Sequence, residues 1–258
     1  MTTVLTLFRR TLLYLKSRWT TWVFFALACF FGITAAPTAQ YLPDILSSLA
    51  GPDLPIDTAQ LPDPTIRDAW AQWSSQLQQL FPLFIAIMAG GLISTDVAGR
   101  TIIPLLSRGV SRRRYWWVSF ASLLLVICAS VLCGLILVLV ISPLFFEMDA
   151  GDLRAPLLFT LRWVLFILPL VGIAMLASAC GASSLGAAAL GLVYFAVCTV
   201  LVMSPHIASY TPAGLLLDWE AGGEALEDRS VWVSALESAA LSVLVLEVGS
   251  QRFRRLSL

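Results

Sequence analysis

Charge is scarce in this chain. Only 12% of its 258 residues are Asp, Glu, Lys or Arg, while 59% are hydrophobic. Water-soluble domains carry about twice that share of charge, so a soluble enzyme and a disordered tail are both excluded. Histidine is nearly absent: His206 stands alone, and one imidazole cannot build a metal site unaided. The five cysteines, Cys29, Cys128, Cys133, Cys180 and Cys198, form no Cys-x-x-Cys pair and fall in or at the ends of apolar runs. Neither a disulfide framework nor a zinc site is indicated, and the thiols read as small packing residues. Period-two alternation of apolar and polar residues is also missing, which excludes a transmembrane barrel.

What is there is a set of apolar runs long enough to cross about 30 Å of hydrocarbon, which takes about 20 helical residues. They lie near 20–38, 77–95, 115–142, 155–178, 183–204 and 230–249. Helices satisfy their own backbone in lipid, so the expected architecture is a single all-α domain over 1–258, a six-transmembrane-helix bundle. Arg9, Arg10, Lys16 and Arg18 precede the first run, and no convincing small-residue cleavage site follows it. It reads as a retained span, not a signal peptide. Before it, Val4, Leu5, Phe8, Leu12 and Leu15 share one face at helical period, the mark of an N-terminal interfacial helix.

The charges are segregated. With both termini in the cytoplasm, twelve of the 16 basic residues fall inside: the N-terminal four, Arg100, Arg108, Arg112, Arg113, Arg114, Arg252, Arg254 and Arg255. Thirteen of the 16 acidic residues fall outside, in the segments around 44–68, 147–152 and 218–228. This is the positive-inside pattern of a multi-pass cytoplasmic-membrane protein. Tryptophans agree: Trp19, Trp22, Trp116 and Trp117 fall at inner span ends, and Trp70, Trp73, Trp163, Trp219 and Trp232 at outer ones. Rings at those positions are expected in the headgroup belts. In the longest outer segment, about 39–76, the early prolines Pro37, Pro43, Pro52, Pro55, Pro62 and Pro64 argue against a continuous helix. The stretch after Thr65, apolar at Ile66, Ala69, Trp70 and Trp73, reads as a short amphipathic helix lying on the outer leaflet.

The inner loop between the second and third runs carries more than anchoring arginines. It reads Asp96-Val-Ala-Gly-Arg-Thr-Ile-Ile-Pro-Leu-Leu-Ser-Arg-Gly-Val-Ser-Arg-Arg-Arg-Tyr115. Ile102, Ile103, Leu105, Leu106 and Val110 are expected to meet water within a basic rim, as a contact surface for another protein does. Asp96, then Gly99-Arg-Thr101, then Leu105-Leu-Ser-Arg-Gly-Val-Ser-Arg112 resembles the cytoplasmic signature of type-2 ABC exporter permeases. Chain length, span number and inside termini match that family over the whole chain. Gly109 stands where the family usually has proline, and Arg100 where it has glycine. The lysine that often opens the next span is absent.

The resemblance implies that the loop is a cytoplasmic coupling helix seated in a groove of a separate ATPase subunit, with Arg100, Thr101, Leu105, Leu106, Arg108, Val110 and Arg112 at the contact. It implies two ATPase copies, which bind ATP and Mg, and a second permease subunit, a homodimer being expected, with the substrate path between the permease halves. The chain has no Gly-x-x-x-x-Gly-Lys-Ser/Thr of its own. No catalytic residue, cofactor, metal or nucleic acid is expected in or on this chain. The span walls, mostly Leu, Val, Ile, Phe and Ala, favour an amphipathic or lipid-like cargo over a metal ion.

Two charges fall within spans, Arg162 and Glu237, each about seven residues from an outer end. Such charges are costly unless paired, and the two are expected to face each other. Glu247, near an inner end, is expected to answer Arg252 or the coupling-loop arginines. The fifth run opens with small residues, and Gly181, Gly186 and Gly191 are candidates for close helix packing, within the chain or across a dimer axis. Two other classes were weighed. An intramembrane serine protease would need Gly-x-Ser-Gly where Gly181-Ala-Ser-Ser184 stands. It would also need a base near Ser183 and Ser184, whereas His206 lies about 30 Å away across the span. A stand-alone secondary transporter would show inverted repeats and broken helices. No repeat is evident, and Pro169 is the only mid-span proline suited to a break.

Overall fold

The computed structural model describes residues 2–49, 63–99, 102, 104, 109–147, 153–217 and 229–255. They form helices α1 (Thr2–Ser17), α2 (Trp19–Leu49), α3 (Ile66–Gln79), α4 (Phe81–Ala98), α5 (Arg112–Ile141), α6 (Arg154–Ala179), α7 (Ser184–Val202), the short α8 (Pro205–Ala208) and α9 (Arg229–Arg254). Single 3-10 turns lie at Ser142–Leu144 and Pro212–Leu216, and no strand occurs among the described residues. Six segments are long and apolar enough to cross a bilayer: Trp19–Pro43, Ile66–Ala98, Arg112–Leu144, Arg154–Ala179, Ser184–Val202 and Val231–Arg254. The protein is an all-α, multi-pass membrane bundle.

The span α3–α4 and the span α6 form its centre, and the other four ring them with apolar outer faces. The closest neighbours are α6 with α9, α4 with α7, and α2 with α5. Between α2, α4 and α6, the Phe81 ring packs against Phe24 at 5.2 Å, Trp163 at 6.0 Å and Trp73 at 6.2 Å, edge to face. Each such pair adds about 0.5–1.5 kcal/mol beyond the area it buries. Trp70, Trp73, Trp116 and Trp163 are all buried against protein, while Trp19, Trp22 and Trp232 stay exposed. In a bundle this thick an aromatic facing inward gains more from helix neighbours than from the interface.

Two expectations are corrected. α2 continues through Pro37 and Pro43. A proline inside a membrane helix is tolerated where neighbours support the freed backbone, and α3 lies along this part of α2, with Ala36 and Ala39 meeting Ala69. α3 therefore does not float on the leaflet. Its first turn is fixed by the Asp68 carboxylate, which accepts from the Thr65 amide at 2.7 Å and its hydroxyl at 2.8 Å. The predicted apolar face is right, but protein covers it: Ile66, Ala69, Trp70, Trp73 and Leu77 are all buried. On α1 the buried face is Leu7, Thr11 and Leu15, against α5, whereas Val4 and Leu5 remain exposed.

At the α2–α5 crossing the two backbones nearly touch. A Cβ added to Gly32 would lie 2.5 Å from the Gly134 carbonyl oxygen, and one added to Gly134 would lie 2.6 Å from that of Ala28. Cys29 and Cys133 meet at this crossing with their sulfurs 3.8 Å apart, as free thiols. A disulfide needs about 2 Å, a closure that two side chains can share without parting the helices. Mild oxidation of the folded protein with iodine is expected to join these two residues, read as a cross-linked peptide pair that Cys29→Ser abolishes. Separate alkylation of both thiols after that treatment would refute the crossing.

Candidate functional site

The arginine-rich end of the bundle gathers the first turns of α1, the end of α4, the start of α5 and the end of α9. α4 stops at Ala98, and α5 starts after Ser111, whose hydroxyl accepts from the Arg114 amide at 3.3 Å. Of the loop between them, Arg100, Thr101, Ile103, Leu105, Leu106 and Arg108 lie outside the described residues. Ile102 and Val110 were expected to face water. Instead Ile102 is fully buried in the core and Val110 packs half-buried against it, bordering Leu7 and Arg114. α1 lies along α5 and brings its Leu7 beside Val110 at this end. Gly109 adopts φ +81°, a left-handed conformation closed to proline, whose ring fixes φ near −65°. The glycine standing in the proline's usual place therefore turns the chain in a way the proline could not.

Both feet of the loop are tied down. The Tyr115 hydroxyl donates to the buried Asp96 carboxylate, joining the end of α4 to the start of α5. The Tyr115 ring stacks on Phe253 at 5.9 Å, and Trp116 packs between Phe253 and Gly249 of α9. Arg112 donates to the Arg254 carbonyl at 3.1 Å. Arg113 pairs with Glu247 at 3.1 Å, so the acid answers an arginine of the loop between α4 and α5. That pair is half-exposed and contributes little to stability; it orients more than it holds. On the α1 side, Tyr14 and Thr95 share a hydrogen bond at 2.9 Å, and the Arg18 guanidinium lies over the Tyr14 ring at 5.4 Å. These contacts tie the ends of α4 and α5 to each other and to α1 and α9.

The field here is strongly positive. Among the described residues this end carries Arg9, Arg10, Lys16, Arg18, Arg112, Arg113, Arg114, Arg252, Arg254 and Arg255 against only Asp96 and Glu247.

At the opposite end Arg162 is buried, but its expected ion pair with Glu237 is not formed. Its guanidinium donates to the carbonyls of Leu217 at 2.8 Å and Gly214 at 3.3 Å. Among the described residues the ion pair within 4 Å is Arg113–Glu247. The Pro212–Leu216 turn packs against α6 and α9, and the carbonyls of Gly214 and Leu217 are acceptors that one guanidinium fork, rich in donors, satisfies together. Glu237 stays half-exposed on α9.

Of the three glycines singled out on the fifth run, Gly191 is an intrachain packing site, with Ala174 Cβ 3.3 Å and Ala86 Cβ 3.6 Å from the place of its missing Cβ. Gly186 meets only its own cap, and Gly181 is a turn residue at φ +91° with nothing within 4 Å. The tightest approach to α7 comes from Gly90 of α4, which the sequence reading passed over. It also passed over the buried serines of α9: Ser238 donates to the Leu165 carbonyl of α6 at 2.7 Å, and Ser234 to that of Ser209 at 3.1 Å. Their signal was there, since Ser234, Ser238 and Ser242 repeat every four residues, the spacing of a small-residue packing face. Ser183, at the start of α7, and His206, beyond its other end, are separated by the helix's 19 residues, about 28 Å.

Residues 60–255 match a family model described as a protein of unknown function (DUF2705), and the chain belongs to that family. No curated protein matches the chain.

Proposed function

We propose that this member of the family is the permease subunit of an ATP-binding-cassette exporter, driven by a separate ATPase through the 96–115 loop. The observation that carries the reading is the loop's setting. A motif resembling a coupling helix joins α4 to α5, and its feet, Asp96 and Tyr115, are hydrogen-bonded to each other and stacked onto α9. A push delivered to those feet bears directly on α4, α5 and α9. The charge asymmetry supports an arginine-rich end that faces the cytoplasm, where the ATPase sits, with both termini on that side of the cell membrane. Two ATPase copies bind the ATP and Mg, and two permease copies enclose the path. The apolar walls suit an amphipathic or lipid-like cargo.

Leu105 and Leu106 are the apolar residues proposed to seat in the ATPase groove. In membranes that co-express a cognate ATPase, the Leu105→Glu, Leu106→Glu double variant is expected to lose at least about tenfold of the co-purified ATPase, the scale of a lost interface hot spot. Its thermal unfolding should match that of the parent. Transport by the purified chain alone, powered by an ion gradient without ATP, would overturn the reading in favour of a secondary transporter.

A further inference from the structure

We infer that the crevice between α1 and the start of α5 is a binding site for one anionic phospholipid of the surrounding bilayer. This inference rests on the chain's being a membrane protein and not on the transporter reading. The crevice, about 510 Å³, is lined by Val4, Ser111, Arg113, Arg114, Trp117 and Val118. Its floor is apolar, its rim carries two guanidinium groups and a hydroxyl, and among the described residues no acidic side chain lines it.

Charge matching singles out Arg114. The first turn of α5 holds Arg112, Arg113 and Arg114 and no acid, so three cations crowd the positive end of a helix dipole, an arrangement that costs stability. Arg112 is relieved by the Arg254 carbonyl and Arg113 by Glu247. Among the described residues the Arg114 side chain has no such acceptor; only its backbone amide is engaged, by Ser111. A phosphate seated between Arg114 and the Ser111 hydroxyl supplies the missing anion. The ten basic against two acidic residues at this end select a net negative headgroup over a zwitterionic one, whose own cation would meet the same field.

The apolar half of the ligand has a track as well. Below the crevice Trp117 meets Phe120 edge-on at 6.2 Å, the depth at which aromatic rings flank a headgroup. From there Ala121, Leu125, Ala129 and Leu132 form an exposed stripe along α5, spaced three or four apart and running into the membrane. An acyl chain can follow that stripe while its phosphate stays in the crevice. A free phosphate or a soluble anion would use the rim alone and leave the stripe without a role.

The test is native mass spectrometry of the full chain released from micelles containing equal phosphatidylglycerol and phosphatidylcholine. The parent should retain one phosphatidylglycerol in preference. Arg114→Gln should lower that retention about fivefold, the weight of one basic group near an anionic lipid. Arg114→Lys should restore most of it. Val4→Trp, which fills the crevice from an exposed position and keeps every charge, should lose it too. Arg252→Gln, at the same end but outside the crevice, should not. Equal retention of the two lipids, equal loss in Arg252→Gln, or displacement by millimolar inorganic phosphate would each overturn the proposal. So would full retention in Val4→Trp.

Discussion

Arg162→Leu is expected to unfold the protein far more readily than Glu237→Gln, although both remove an intramembrane charge. Arg162 is buried and holds the carbonyls of Gly214 and Leu217. Leucine at that place strands these two backbone acceptors, at about 1–3 kcal/mol each and so about 2–6 kcal/mol in all. Glu237 is half-exposed and without a described ion pair, so its amide should cost under about 0.5 kcal/mol. Thermal unfolding in detergent, read by loss of the monomer peak, separates the two variants. Equal losses would restore the discarded Arg162–Glu237 pair.

The second large effect is expected at Gly90. A Cβ there would come within 2.7 Å of both the Ala188 nitrogen and the Ser184 oxygen, which are backbone atoms of α7 that no rotamer change can move aside. The Gly90 carbonyl also accepts from Ser178 of α6 at 2.9 Å, so a forced shift of α4 loosens two neighbours. Gly90→Val should therefore cost about 3 kcal/mol or more, the upper range of overpacking. Gly186→Ala is the control. Its Cβ would meet only Ser183 Oγ at 3.3 Å and Ala182 at 3.9 Å in its own turn, and alanine favours helix by up to about 1 kcal/mol over glycine. Gly90→Val unfolding no earlier than Gly186→Ala would show that α4 and α7 are not in backbone contact.

These two sites mark where sequence reading succeeds and where it stops. The six spans were legible because a long apolar run is a one-dimensional signal, and the observed helices match within about five residues, apart from the added α3 and the extension of α2 to Leu49. The apolar face of α3 was legible for the same reason; whether lipid or protein covers it was not, because Ile66, Ala69, Trp70 and Trp73 suit either solvent. The partners of Arg162 were illegible in a deeper sense. They include carbonyls 52 and 55 residues away, and a carbonyl belongs to every residue, so no letter announces it. Asp96 was read as part of a motif, but its partner Tyr115 closed that motif without being recognised as doing so. The spacing rule for small residues located Gly191 at a contact within the chain, whereas Gly181 makes none there, since spacing says nothing about which way a helix start faces.

The burial of α3 has a consequence for the order of assembly. Its sequence, with Arg67, Asp68, Ser74, Ser75 and four glutamines, would not partition into hydrocarbon by itself, yet its tryptophans complete the aromatic centre. The insertion machinery has no hydrophobic reason to admit it. The neighbouring spans must already stand side by side, leaving a slot shaped for those rings, before this segment gains a place. Its docking is then a late event in biogenesis, and until it happens the newborn bundle carries an open seam along α2.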